Sequence, residues 1–310
     1  MLALTALGEL ALHVTLRARC SDPPQDDLRF DEIHLEVGGS VALVCMQLAA
    51  LDHRTQLVPL VADDELGRFL VRELEATAVE VPAVVVDGGM TARSVTQTGR
   101  DGAHDTTYSA PDSNPQSLQS ELSRASEGAY AYVPAYPGYD GLLEAASRMS
   151  TPLVVDLGYQ PLVYDFPRLA REAVDRARWA QVAVVPCAGL DDATTAQLAQ
   201  AVAEAGPELT VVTRGARGAG LWIGSGLWTT SAIPCEPINT LGAGDAFTAG
   251  LIAGLADGSA PETAVQFANA VAAARIEMFP AFPERADVAG LLKRAKSPRL
   301  NDDIRQQRPR

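Results

Sequence analysis

The sequence predicts a three-layer α/β fold, a mostly parallel sheet with helices on both faces. Three observations carry this expectation. From residue 128 onward, short apolar runs at 129–134, 153–156, 182–186 and 209–213 alternate with helical stretches near 140–149, 167–178 and 192–205. Strands that are apolar along their whole length belong to sheets covered on both faces, and their alternation with helices implies parallel βαβ connections. The 310-residue chain is 47% apolar and 5% aromatic, enough for a large aliphatic core. Finally, the glycine-rich turn at 239–244 runs straight into an apolar helix that closes at Asp257-Gly258.

Composition also excludes classes of function. A formal charge of -14 argues against nucleic acid or an anionic membrane as the main partner, because both require clustered Lys and Arg. No apolar run approaches the roughly 20 residues that span a bilayer. Met1 to Leu7 lacks the basic start of a signal peptide, so a cytoplasmic location is expected. Cys20, Cys45, Cys187 and Cys235 are widely spaced and indicate neither a zinc site nor a disulfide framework.

Taken in order, residues 2–7 form a first strand, and Gly8-Glu9 turns into a second that carries His13. Residues 29–37 alternate Ile33, Leu35 and Val37 with Glu32, His34 and Glu36, the pattern of a half-exposed strand, and end at Gly38-Gly39 before an apolar helix near 41–51. Residues 55–61 are a strand. Asp63-Asp64-Glu65 then begins a helix with its acids in the first turn, where they suit the dipole. β segments are expected at 91–98 and 106–108. No long linker or repeat divides the chain. One domain over 1–295 is expected, with segments near 10–37 and 88–110 as a small β lid, followed by a polar tail at 296–310 with too little apolar content to pack.

The chemistry concentrates at Gly242-Ala243-Gly244-Asp245. Small residues at a helix N-terminus leave backbone N–H groups uncovered, and with the positive end of the dipole these favour an anion. A carboxylate in such a place either caps the helix or takes a proton from a group that attacks a bound phosphate. The string Asn239-Thr-Leu-Gly-Ala-Gly-Asp-Ala-Phe247 resembles the C-terminal signature of the ribokinase (PfkB) family of carbohydrate and nucleoside kinases. The resemblance extends over roughly 2–292 and implies a ribokinase-like fold and ATP-dependent phosphorylation of a small-molecule hydroxyl. It places the anion hole on Gly242, Ala243 and Gly244 and the general base on Asp245.

The same resemblance assigns the rest of the site. Gly38 and Gly39 match the sugar-holding N-terminal signature, although Leu43 stands where the family has Asn and His13 where it has a sugar-binding Asp. A pocket built around His13 and Leu43 has fewer acceptors for hydroxyls, so a less hydroxylated or more apolar substrate than ribose or fructose is expected, such as a nucleoside or modified sugar. Thr213-Arg-Gly215-Ala216-Arg-Gly218 resembles the ATP loop; taken by itself it is a plain strand-to-strand turn. Asn269 matches a residue beside the adenine, or is simply an exposed helix Asn. Residues 185–190 replace a Pro-Asn-x-x-Glu element linked to phosphates and magnesium hydration, with Cys187 and Leu190 at its polar positions. Mg2+ is therefore expected to be held mainly through phosphates and water. The 278–282 segment replaces a monovalent-cation loop and carries Pro280. A homodimer through the lid is the partner the resemblance implies. The losses at 13, 43, 187 and 190 leave a second reading open, a non-catalytic ribokinase-like protein that binds a ligand or a protein.

Overall fold

The computed structural model describes residues 1–17, 32–98, 104–109, 112–125, 128–158, 165–278 and 286–295. The expectations for the tail at 296–310 and for Pro280 fall outside these residues.

A nine-stranded sheet forms the middle layer. Its strands are β1 (Leu2–Glu9), β4 (Arg54–Val61), β5 (Val85–Val86), β8 (Tyr130–Tyr132), β9 (Leu153–Asp156), β10 (Val182–Pro186), β11 (Leu209–Thr213), β12 (Ala219–Ile223) and β13 (Gly226–Thr230). Their order is β13-β12-β11-β10-β9-β8-β1-β4-β5, parallel from β11 to β5 and antiparallel in the terminal hairpin. Side chains along β10 show why the strands are apolar throughout. Val182 and Val184 enter one core while Ala183 and Val185 enter the other. The first core is covered by α1 (Ser40–Ala50), α2 (Glu65–Glu75), α7 (Ala243–Ala256), α8 (Pro261–Ile276) and α9 (Val288–Ala295). The second is covered by α4 (Asp140–Ala146), α5 (Phe166–Ala177) and α6 (Asp192–Glu204). A four-residue α3 (Leu122–Ala125) precedes β8.

The sequence-expected elements stand within a few residues of these bounds. After α2, Thr77 and Val79 are held in a turn and Glu80 makes a single bridge to Gln56. Asp64 caps α2, accepting from Gly67 N at 2.7 Å, and also receives the Thr91 N–H and hydroxyl, which fastens the chain just ahead of Ala92.

A second, four-stranded sheet has the order β3 (Glu32–Gly38), β2 (Ala11–Arg17), β6 (Ala92–Thr98) and β7 (His104–Ser109). In β3 the apolar residues Ile33 and Leu35 point outward, 64% and 62% exposed, while Glu32, His34 and Glu36 are half-buried. Val95 is exposed on the same face, whereas Tyr108, opposite Ser94, belongs to the other face. The outward row of this sheet is thus its apolar one.

α7 and α8 pack through small residues. A Cβ on Gly250 would lie 2.8 Å from Ala268 Cα, and one on Gly254 would lie 2.9 Å from Ala264 Cα.

Candidate active site

Parallel sheets open a crevice where the strand order reverses, at the carboxyl ends of the strands. Here the reversal is between β1 and β8, since β1 continues through α1 to β4 on one side while β8 begins the run to β11 on the other. Glu9 and Tyr132 are the last residues of those two strands. The N-terminal ends of α1 and α7 meet at this crevice.

Gly39 is the N-cap of α1, at φ 93, and a Cβ there would lie 2.4 Å from Glu9 O, so both backbone angle and space demand glycine. Gly38 is required for a different reason: the His13 ring lies over it, with Cδ2 2.2 Å from the position of a Cβ. Gly242 is the N-cap of α7 in the left-handed region, at φ 74. Leu43 Cδ1 lies 3.7 Å from where its Cβ would be, so the apolar replacement at 43 packs directly against the α7 turn. The Ala243 N–H reaches Thr240 O at 3.3 Å and the Ala246 N–H starts the helical ladder on Gly242 O at 2.9 Å. The Gly244 N–H has no acceptor among the described residues, and nothing lies within 4 Å of the point where its Cβ would be. That exposed amide at a helix N-terminus is open to an anion.

Asp245 is not a cap of its own helix. Its carboxylate receives the Ser40 hydroxyl from α1, which joins the two glycine turns across 205 residues of sequence. Ser40 Oγ also lies 2.8 Å from Tyr132 OH, and the Ser40 N–H points to Tyr136 OH at 3.4 Å. Ser40 has one hydroxyl proton, and an ionised carboxylate only accepts. The chain therefore runs Tyr132 O–H to Ser40 and Ser40 O–H to Asp245. Burial pushes the Asp245 carboxyl up to about 6, opposed by the Ser40 hydrogen bond and the charge of Arg275. Asp156, the last residue of β9, is pushed up further, to about 7, by burial, with the charge of Asp245 adding to it and the Gly158 N–H opposing. The two carboxyls disfavour each other's charge, and Asp245, held at about 6, is mostly ionised at neutral pH. His13 is held down at about 4 by burial and by the nearby charge of Arg275, so it is a neutral imidazole near pH 7.

Polar groups that the sequence alone did not bring forward complete this pocket. Tyr108 donates from β7 to Glu9 Oε1 at 2.5 Å, and the Glu9 N–H reaches Tyr139 OH at 3.1 Å. Tyr136 and Tyr139 pack edge to face, with centroids 5.7 Å apart. The crevice is therefore richer in hydroxyl partners than His13 and Leu43 suggest. Two signals for them existed: Tyr132 and Asp156 are polar residues that end apolar strands at the carboxyl edge, where parallel sheets place their sites.

The second group of expected residues lies further along the same edge. Thr213 ends β11, and residues 215–217 form one 3-10 turn into antiparallel β12, so the loop is indeed a strand-to-strand turn. Gly215 is at φ 58 and Gly218 at φ 89. Gly218 lies against the 230–232 backbone, where a Cβ would be 2.1 Å from Thr230 O. Asn269 donates to Ser231 O at 3.3 Å and is 7% exposed. It is thus a buried residue rather than an exposed helix Asn, and it meets the segment that Gly218 touches. Ala216 is exposed at the tip of the turn. Arg214 and Arg217 both bind Asp192 at 2.7 Å, and Arg217 also donates to Leu190 O. Cys187 N donates to Thr213 O at 2.7 Å, which seats the 187–190 turn beside this loop with Cys187 and Leu190 buried.

The pfkB family carbohydrate kinase model matches residues 182–279. The chain is 26% identical to a 5-dehydro-2-deoxygluconokinase of Geobacillus thermodenitrificans, over 79% of this chain and 83% of that protein. It is 27% identical to a fructokinase of Klebsiella pneumoniae, over 77% of this chain and 83% of that protein. Among solved structures, the ribokinase of Arabidopsis thaliana complexed with ribose and ATP superposes with a TM-score of 0.71 at 20% identity, covering 95% of this chain and 98% of the other. A microbiome-derived acarbose kinase superposes with a TM-score of 0.79 at 20% identity, covering 95% and 99%.

Proposed function

From a chain that is a PfkB-type small-molecule kinase, we propose that it transfers the γ-phosphate of ATP to a hydroxyl of a sugar, nucleoside or related metabolite, with Asp245 as general base. The observation that carries this reading is the Asp245 carboxylate, held by Ser40 beside the open amide of Gly244 at the point where the strand order reverses. Asp245 takes the hydroxyl proton as that oxygen attacks the γ-phosphorus and the bond to the ADP oxygen breaks. A carboxyl with its pKa at about 6 is ionised at pH 7 yet more basic than an ordinary Asp, which suits the role. The turn 242–244 supplies fixed dipoles to the phosphoryl oxygens, and such preorganised donors are a large part of phosphoryl-transfer catalysis.

The nucleotide reading places ATP along Thr213, Gly215, Ala216 and Gly218 with Asn269 near the base. It is supported by the convergence of Gly218 and Asn269 on the 230–232 segment. The described residues include no cluster of three His, Cys, Asp or Glu side chains, and 187 and 190 are apolar. Magnesium is accordingly assigned to the nucleotide phosphates and their water, and no step is routed through it. The second sheet, which carries His13, is taken as the lid over Glu9, and its outward row of Ile33, Leu35 and Val95 as the face for a second copy of the chain.

A screen of sugars, sugar acids and nucleosides tests the reading, following melting temperature with ATP and magnesium and the formation of phosphorylated product, since a ligand that binds the native state raises its melting point. Product with at least one member of the panel is expected. Nucleotide binding without product for any of them favours the non-catalytic alternative, which the buried Cys187 and Leu190 otherwise support.

A further inference from the structure

Arg275 is a buried cation that the glycine turns and the nucleotide loop do not account for. It stands in the last turn of α8, after a run of small residues from Ala270 to Ala274, and is 1% exposed. Its Nη1 lies 3.5 Å from the carbonyl oxygens of Asn239 and Met278, which ties the end of α8 to the segment leading into α7. Its Nε and Nη2 lie 3.6 and 3.7 Å from where a Cβ on Gly242 would be, so the guanidinium sits against the left-handed residue that opens the anion turn.

The groups around it come from separate elements. Glu36 of β3 and Asp245 of α7 face Arg275 with negative charge, and His13 of β2 feels its positive charge. Asp245 in turn is faced by Ser40 of α1, by Tyr132 at the end of β8 and Tyr136 in the segment after it, by Asp156 of β9 and by Arg275. Burying an ion is costly unless opposite charge compensates it, and Asp245 and Glu36 are placed to do so. In this set Arg275 is the cation opposing the effect of burial, which favours a protonated Asp245.

We propose that Arg275 is a positioning residue for the transfer: its guanidinium holds Asp245 as a carboxylate and sets positive charge behind the amides of the 242–244 turn. The proposal rests on the reading of Asp245 as the base. It explains how a carboxylate can remain ionised beside a site for a polyanion. It also keeps His13 neutral, with a ring nitrogen able to accept a hydrogen bond. A role confined to tying the end of α8 to the 239–242 segment would affect stability and leave the titration of Asp245 in place.

The test is a carboxyl-carbon NMR titration of Asp245, assigned by its loss in Asp245→Asn, in the wild type, Arg275→Lys and Arg275→Gln, with melting temperatures alongside. The midpoint is expected near 6 in the wild type, close to that in the Lys variant, and raised by about one unit in the Gln variant, a tenfold change in proton affinity. The acid limb of kcat/KM should move with it. A Gln variant whose midpoint stays in place overturns the proposal whatever its stability. Should that variant fail to fold, the side-chain nitrogen resonances of Arg275 are followed in the wild type instead: they should shift with the Asp245 midpoint and stay still through that range in Asp245→Asn. Arg275 resonances that ignore the Asp245 titration also overturn the proposal. The titration requires no turnover, so a chain that never phosphorylated anything could still show the coupling, and the two readings fail separately.

Discussion

Gly244→Ala should make the protein slightly more stable and much less active. The residue is at the second position of α7 with helical backbone, and nothing lies within 4 Å of where its Cβ would be. With no clash and no left-handed angle, the substitution carries the usual helix advantage of alanine, about 0.5–1 kcal/mol, because the unfolded chain loses freedom. An unfolding entropy of about 2.1 cal/mol/K per residue gives roughly 650 cal/mol/K for a chain of this length. The melting temperature should therefore rise by about 1 °C. The same methyl group occupies the space in front of the open Gly244 amide, where the account puts a phosphoryl oxygen. Losing one such donor costs about 10²–10³-fold in kcat. Calorimetry and a coupled ADP-release assay on wild type and variant read both effects. Wild-type turnover in a normally folded variant would show that no phosphate uses this amide, and a marked fall in melting temperature would show that the space is not open.

The pH dependence follows from the same residues. With Asp245 titrating at about 6, kcat/KM at pH 5 should be about one-tenth of its plateau, whereas a limb near pH 4 would indicate an ordinary, exposed base. Stability carries a matching sign. Asp245 and Asp156 have raised pKa values, so the stability from their protonated forms is present below the ordinary carboxylate range and lost as pH rises through about 6 and 7. His13 has a lowered one, so its contribution is present above the ordinary imidazole value and lost as pH falls through about 4, and melting curves from pH 4 to 8 should show both trends. Gly250→Ala should destabilise by about 1–2 kcal/mol in denaturant titration. Its methyl would meet Ala268 Cα at 2.8 Å and Val271 Cγ2 at 2.9 Å, and this overpacking outweighs the gain in helix propensity; an unchanged midpoint would show that α7 and α8 can slide apart.

Local chemistry was what the sequence made legible. The 239–247 string marks its own helix start, and Asp245 is contiguous with the glycines of that turn, so no knowledge of the fold is needed to single it out. The apolar strands from 153 to 213 could be bounded closely because burial on both faces leaves Thr210 as the one polar residue inside them. Ser40 was out of reach, since its hydroxyl matters only after α1 and α7 meet across 205 residues. Arg275 gave a faint signal, a single cation in a run of alanines, but nothing in the spacing says whether such a side chain faces solvent or the core. The expectation of a pocket poor in hydroxyl partners followed correctly from His13 and Leu43 and still missed Tyr136, Tyr139 and Glu9, which the fold brings in from β1 and the segment after β8.

The claim that Asp245 is the base is tested most directly by a single-turnover measurement with Asp245→Asn, using a substrate found in the screen and saturating ATP. The amide keeps the shape of the carboxylate and loses its basicity. Transfer to the hydroxyl should slow by about 10²–10⁴-fold while ATP binding, followed by calorimetry, stays within a few-fold of wild type. Transfer at the wild-type rate would contradict the account, because the proton would then be leaving by a route that does not pass through Asp245.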